Sequence, residues 1–72
     1  MKIIAKRGEA YLVLLEGNNR GFMFNPENNN ARSPEMDVNS FLARGYWTEI
    51  LNPPKFDLEK IYKSEPSNFY QV

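Results

Sequence analysis

Residues Ala10 to Leu15 read Ala-Tyr-Leu-Val-Leu-Leu, an unbroken apolar run in a chain of only 72 residues. A strand with one wet face alternates apolar with polar positions. A continuous run bounded by turn signals is instead a strand covered above and below. A chain of this length buries only roughly 60–65 % of the surface that its unfolded form exposes. The second cover must therefore come from the C-terminal half of the chain or from a partner, which makes a homo-oligomer part of the expectation.

Gly8-Glu9 separates this run from a second strand-like segment, Lys2 to Arg7. Glycine at the first central position of a two-residue loop is what a type II′ hairpin demands. That turn pairs Lys6 with Tyr11, Ala5 with Leu12, Ile4 with Val13, Ile3 with Leu14 and Lys2 with Leu15, and opposed residues share a face. One face then carries Ile3, Ala5, Leu12 and Leu14; the other carries Ile4, Tyr11, Val13 and Leu15. Gly17 to Gly21 reads as a second turn, and Phe22 to Asn25 as a third strand stopped by Pro26. With an even loop, Phe22 and Phe24 join Val13; with an odd loop they join Leu12, because a one-residue slip exchanges faces.

Glu27 to Glu35 is polar, rich in asparagine and broken by Pro34, which predicts a mobile surface loop. Asp37 is placed to cap a short helix, Val38 to Arg44, with Val38, Phe41 and Leu42 on one stripe and Gly45 at its end. Tyr46 to Leu51 reads as a fourth strand that ends at Asn52-Pro53-Pro54. Asp57 is placed to cap a second helix, Leu58 to Lys63, in which Leu58, Ile61 and Tyr62 fall at i, i+3 and i+4. The tail carries Phe69, Tyr70 and Val72 and is expected to dock on the domain or to pair as an edge strand. The fold class is α+β, one domain over residues 1–72, with a small antiparallel meander in the order β-β-β-α-β-α and one or two helices packed on the sheet. An SH3-like small barrel is the alternative.

Nine basic residues balance nine acidic ones, so no long-range field steers the chain onto nucleic acid or anionic lipid. Histidine and cysteine are absent. The commonest general base, the thiolate nucleophile and most transition-metal ligands go with them, so no enzymatic activity, metal or cofactor is expected. The closest acidic pair, Glu35 and Asp37, reads as helix capping, and the loop from Asn25 to Asn30 fails the calcium-loop pattern. Gly17 to Gly21 has no helix after it, so it lacks the terminal amides of a phosphate loop. No apolar stretch has the length of a signal peptide core or a membrane span, and a cytoplasmic location is expected. Nine asparagines suggest an AT-rich coding sequence, such as that of a phage or a low-GC bacterium.

Binding is what remains. Ten aromatics, three methionines and four arginines are the residue types enriched at protein interfaces. The expectation is a non-catalytic protein-protein interaction module, a small regulator, inhibitor or assembly subunit. Arg44, Tyr46, Trp47, Tyr62, Phe69 and Tyr70 are its candidate contacts, while Phe41, Leu42 and Trp47 also suit the core. The alternative is a single-stranded RNA or DNA reader that stacks bases on Tyr11, Phe22 and Phe24 and holds phosphates with Lys2, Lys6, Arg7 and Arg20. A third reading is a nucleotide-like small ligand bound between protomers.

Overall fold

Gly8-Glu9 joins β1 (Lys2–Arg7) to β2 (Ala10–Leu14) in a computed structural model that describes residues 1–66. Gly8 takes φ +58° and Glu9 stays outside the left-handed region, as the expected turn requires. The register holds from Arg7 opposite Ala10 to Ala5 opposite Leu12, and then slips, with Ile3 opposite Val13 and Lys2 opposite Leu14. Ile4 is the extra residue of a β-bulge. The bulge corrects the expected faces, since Ile3 packs with Tyr11 and Val13 whereas Ile4 borders Ala5 and Leu12.

β3 (Arg20–Asn25) completes the meander, with Tyr11 opposite Phe24 and Val13 opposite Phe22. The Leu15 amide donates to the Arg20 carbonyl at 2.9 Å, so the loop is Glu16 to Asn19, an even connection. Phe22 and Phe24 consequently share the face of Tyr11 and Val13.

The polar stretch after β3 is not the featureless loop expected of it. The Asn25 side chain accepts from the Glu27 amide and starts a 3-10 turn at Pro26–Asn28. Asn29 and Asn30 then take φ 53° and 56° and reverse the chain. Asparagine tolerates that left-handed backbone better than other side chains do. The reversal lays β4 (Ala31–Arg32) and β5 (Met36–Asp37) along successive parts of β3. Between them Ser33 is fully buried, exchanging bonds with Met23: its amide donates to the Met23 carbonyl at 2.8 Å and its Oγ accepts the Met23 amide at 3.0 Å.

Asp37 caps α1 (Val38–Leu42) by accepting the Asn39 amide at 2.8 Å, as expected, though the helix ends short of Arg44. Val38 and Phe41 are buried, but Leu42 is 42 % exposed, which corrects its expected place in the core. The fourth strand of the expected meander contracts to β6 (Thr48–Glu49), paired with Ala5 and Lys6 of β1. The Asp57 side chain accepts the Lys60 amide and caps α2 (Leu58–Lys63) over the expected span.

The sheet order is β4-β3-β2-β1-β6, with β5 also on β3, and among the described residues no pairing joins the two ends of this path. Two separate cores lie on its faces. Ile3, Tyr11, Val13, Phe22 and Phe24 meet Ile61 of α2, and Ala5, Leu12 and Met23 meet Val38 and Phe41 of α1. A barrel encloses one interior, so this architecture is a sheet between two covers rather than the SH3-like alternative. Fully burying residues such as Leu12, Val13 and Phe22 contributes about 1.5–3 kcal/mol each. The chain itself covers both faces of β2.

Candidate functional site

Tyr11, Phe22 and Phe24, the aromatics expected to stack on bases, lie 8 %, 0 % and 0 % exposed. Phe56 closes over them, 5.4 Å from the Tyr11 ring and 5.2 Å from the Phe24 ring between centroids. Their even-loop face is the interior, so these three rings are not exposed for stacking. The basic residues assigned with them are dispersed. Lys2 and Lys6 are exposed on β1, with the Lys6 ammonium 5.4 Å from the centroid of Tyr11. Arg20 pairs with Glu35 at 3.2 Å at the opposite side of the sheet.

Tyr62, a candidate contact, is instead part of a tie between α2 and the sheet. Its ring stacks on Phe22 at 5.6 Å and its hydroxyl donates to Glu35 Oε1 at 2.8 Å. The Tyr62 hydrogen bond, followed by that of Arg20, holds the Glu35 carboxyl below the ordinary carboxylate range. The same bond to Glu35 pushes the Tyr62 phenol up. The folded-state value of Glu35 is depressed, so its contribution is present above the unfolded value and lost as pH falls through the folded one. Tyr62 is raised, so its contribution is present below the unfolded value and lost as pH rises through the folded one. Tyr62→Phe, which keeps the ring, is expected to lower stability by a constant amount near neutrality. The difference from wild type should close only below the carboxylate range, roughly pH 4, and above the phenol value, roughly pH 10. Urea titrations of both proteins across pH check this; a difference independent of pH throughout would remove the Glu35 bond as its cause.

The exposed side chains gather elsewhere. Leu42, Tyr46 and Leu51, at 42 %, 84 % and 83 %, are the exposed large hydrophobics among the described residues, and all three fall in the stretch around β6. Arg44, between the first two, is exposed as well. Gly45 at φ +80° and Tyr46 at φ +69° place two left-handed residues in succession, and the Arg7 guanidinium lies 5.7 Å from the centroid of the Tyr46 ring. For a bulky aromatic that backbone costs about 1–2 kcal/mol, while an exposed cation–π contact returns only about 0.5–1 kcal/mol. Trp47 is half-buried against Ala5 and Leu12, and its Nε1 is buried without an acceptor among the described residues. The remaining candidates, Phe69 and Tyr70, lie outside the described residues.

The two edges of the sheet differ. At one, β4 and β5 are interrupted by Pro34, and the buried Arg32 reaches Ser64 after α2. At the other, Thr48 and Glu49 of β6 are both exposed. Beside β6 a groove of about 420 Å³ is lined by Lys2, Ile4, Glu49, Ile50, Leu51 and Pro53, among others. Leu51 and Phe56 carried no role in the sequence reading. Phe56 was findable, because a hydrophobic residue just before an N-cap commonly staples to the fourth helical residue, here Ile61 of the same core. Among the described residues no group of acidic side chains is arranged to hold a metal ion, and no helix is long and apolar enough to cross a membrane. No family model, curated protein or solved structure matches this chain.

Proposed function

We propose that this domain is a non-catalytic protein-interaction module, a small regulator, inhibitor or assembly subunit, that docks through β6 and the side chains flanking it, Tyr46 and Leu51. The observation that carries the reading is that the exposed large hydrophobics among the described residues all fall within residues 42–51, beside a sheet edge that no other described strand pairs. An exposed large hydrophobic at each end of an edge strand offers a partner apolar contacts along that strand. The strained backbone of Tyr46 adds to it, since a residue that costs stability where it stands is a reason to look for function there. The nucleic-acid reading keeps its basic residues and has lost its aromatics to the core, so it receives less support.

Tyr46→Gly is a clean probe of this reading. Relief of the left-handed tyrosine offsets the greater chain entropy of glycine and the lost contact with Arg7, so stability is expected to stay within about 1 kcal/mol of wild type. Tyr46→Gly combined with Leu51→Ser should nevertheless lose at least tenfold in the recovery of proteins captured by the immobilised wild-type chain, at low and moderate salt alike. Equal recovery by a folded double variant would move the contact surface away from β6.

A further inference from the structure

Resting on that reading, we infer that the docking mode is strand addition: the outer edge of β6 takes an extended segment of a different protein, with a lysine or arginine opposite Glu49 and apolar residues two positions to either side. The first support is backbone chemistry. The Ile50 amide donates to the Ile4 carbonyl at 3.2 Å, so Ile50 and, two residues earlier, Thr48 direct their hydrogen-bonding groups toward β1. Glu49, between them, sits in the non-hydrogen-bonded position opposite Ala5 and turns its N–H and C=O to the outer edge, which no other described strand pairs. An extended peptide satisfies such groups through its own main chain.

The side chains give the segment its chemistry. Trp47 and Glu49 share one face of the strand by alternation, and Leu51 follows at the bend after β6. The Glu49 carboxylate is exposed and makes no ion pair among the described residues, and an opposite charge directly across a ladder is stabilising. Apolar residues two positions away on the added strand would meet Trp47 on one side and Leu51 with the groove beside it on the other.

Glu49 also argues against a second copy as the occupant. Edge-to-edge pairing centred on Glu49 sets two carboxylates against each other, and like charges in that position are destabilising. Centring the pair on Thr48 avoids the clash, but the left-handed backbone of Tyr46 ends the ladder at once on both sides, leaving a very short contact. A separate segment meets neither obstacle and can follow the edge from Trp47 to Leu51.

The test is a selection of random linear nonapeptides displayed on phage against the full chain, with the enriched peptides synthesised and titrated by the fluorescence of Trp47, the only tryptophan. Expected are peptides with an apolar-x-Lys/Arg-x-apolar pattern, whose affinity falls at least tenfold against Glu49→Pro. Proline is tolerated where an edge N–H faces solvent, so this variant blocks the added strand and leaves the pairing with β1 intact. Should it fold poorly, Glu49→Lys serves in its place and is expected to switch the enriched central residue to Asp or Glu. N-methylation of alternate peptide amides should abolish binding in one alternation and spare it in the other. Peptides that ignore the Glu49 variants but are lost with Tyr46→Gly would overturn strand addition and leave the docking surface standing. Peptides indifferent to both, or no enrichment at all, would overturn the inference and the surface together. A concentration-dependent dimer abolished by Glu49→Pro would overturn the choice of occupant.

Discussion

Gly21→Ala is expected to remove most of the stability of the fold. A Cβ added at Gly21 would overlap the Val13 carbonyl oxygen and lie 2.7 Å from Val38 Cγ2. Gly21 faces Leu14 in the ladder and Met36 on its other side, so strands hold it laterally while α1 presses from above. Its backbone is not left-handed, and the cost is therefore steric. Overpacking a tight site costs about 1–3 kcal/mol and occasionally more; the backbone oxygen in the way places this site at the upper end, about 3 kcal/mol or beyond. A core of this size supplies only about 3–5 kcal/mol in total. Urea denaturation followed by circular dichroism reads the loss directly. Adding Val38→Ala to Gly21→Ala should not restore stability, because it clears the methyl and leaves the carbonyl. Full rescue by that second change would mean that the helix, not the strand pairing, sets the limit.

That residue illustrates where the sequence is readable. Gly8 declares itself, because a two-residue loop between apolar runs leaves few turn types, and Asp37 and Asp57 declare the starts of both helices through local capping. Gly21 looks like one more turn glycine, while its role is space that only the tertiary approach of α1 to β3 creates. Ile4 is similarly opaque. A bulge inserts one residue without any local signature, yet it sends Ile3 to the aromatic core. Loop parity is open in the sequence for the same reason, since Phe22 and Phe24 on either face satisfy hydrophobic periodicity equally well. At Asn29 and Asn30 polarity points to solvent, whereas two adjacent asparagines in the left-handed region build a turn that carries Arg32 and Ser33 into buried positions. Of the site, Tyr46 is legible as an interface residue type, whereas Leu51 is hidden by its place at the end of an apparently regular strand.

Arg32 is the strongest case of a residue that polarity hides, and its removal is the second large effect expected. It is 8 % exposed, and its guanidinium lies 5.4 Å from the Phe22 centroid and 5.6 Å from that of Tyr62. Nε donates to the Ser64 carbonyl and Nη1 to that of Ser33, each at 2.9 Å. One planar side chain thus fastens the end of α2 to β4. The nearby Arg20–Glu35 pair is largely solvated, and an ion pair of that kind is worth about 0–1 kcal/mol. Arg32 differs because its bonds are sheltered, and removing a charged donor from sheltered acceptors costs about 1.5–3 kcal/mol. Lost stacking of the stem and guanidinium raises the expected cost of Arg32→Ala to about 3–4 kcal/mol. Arg32→Met keeps much of the stem and ends the cost of burying a charge, so about 1–2 kcal/mol is expected. Arg32→Lys should fall nearer alanine than wild type, since one ammonium cannot stack on two rings and reach both carbonyls. Amide exchange at Ile61 and Ser64 separates this tie from general destabilisation. The Ile61 amide closes the first turn of α2 on the Asp57 carbonyl and the Ser64 amide its last on the Ile61 carbonyl, and in a helix of six residues both should exchange faster in Arg32→Met than loss of global stability accounts for. Exchange that tracks global stability alone would reduce Arg32 to a filler of space between Phe22 and Tyr62.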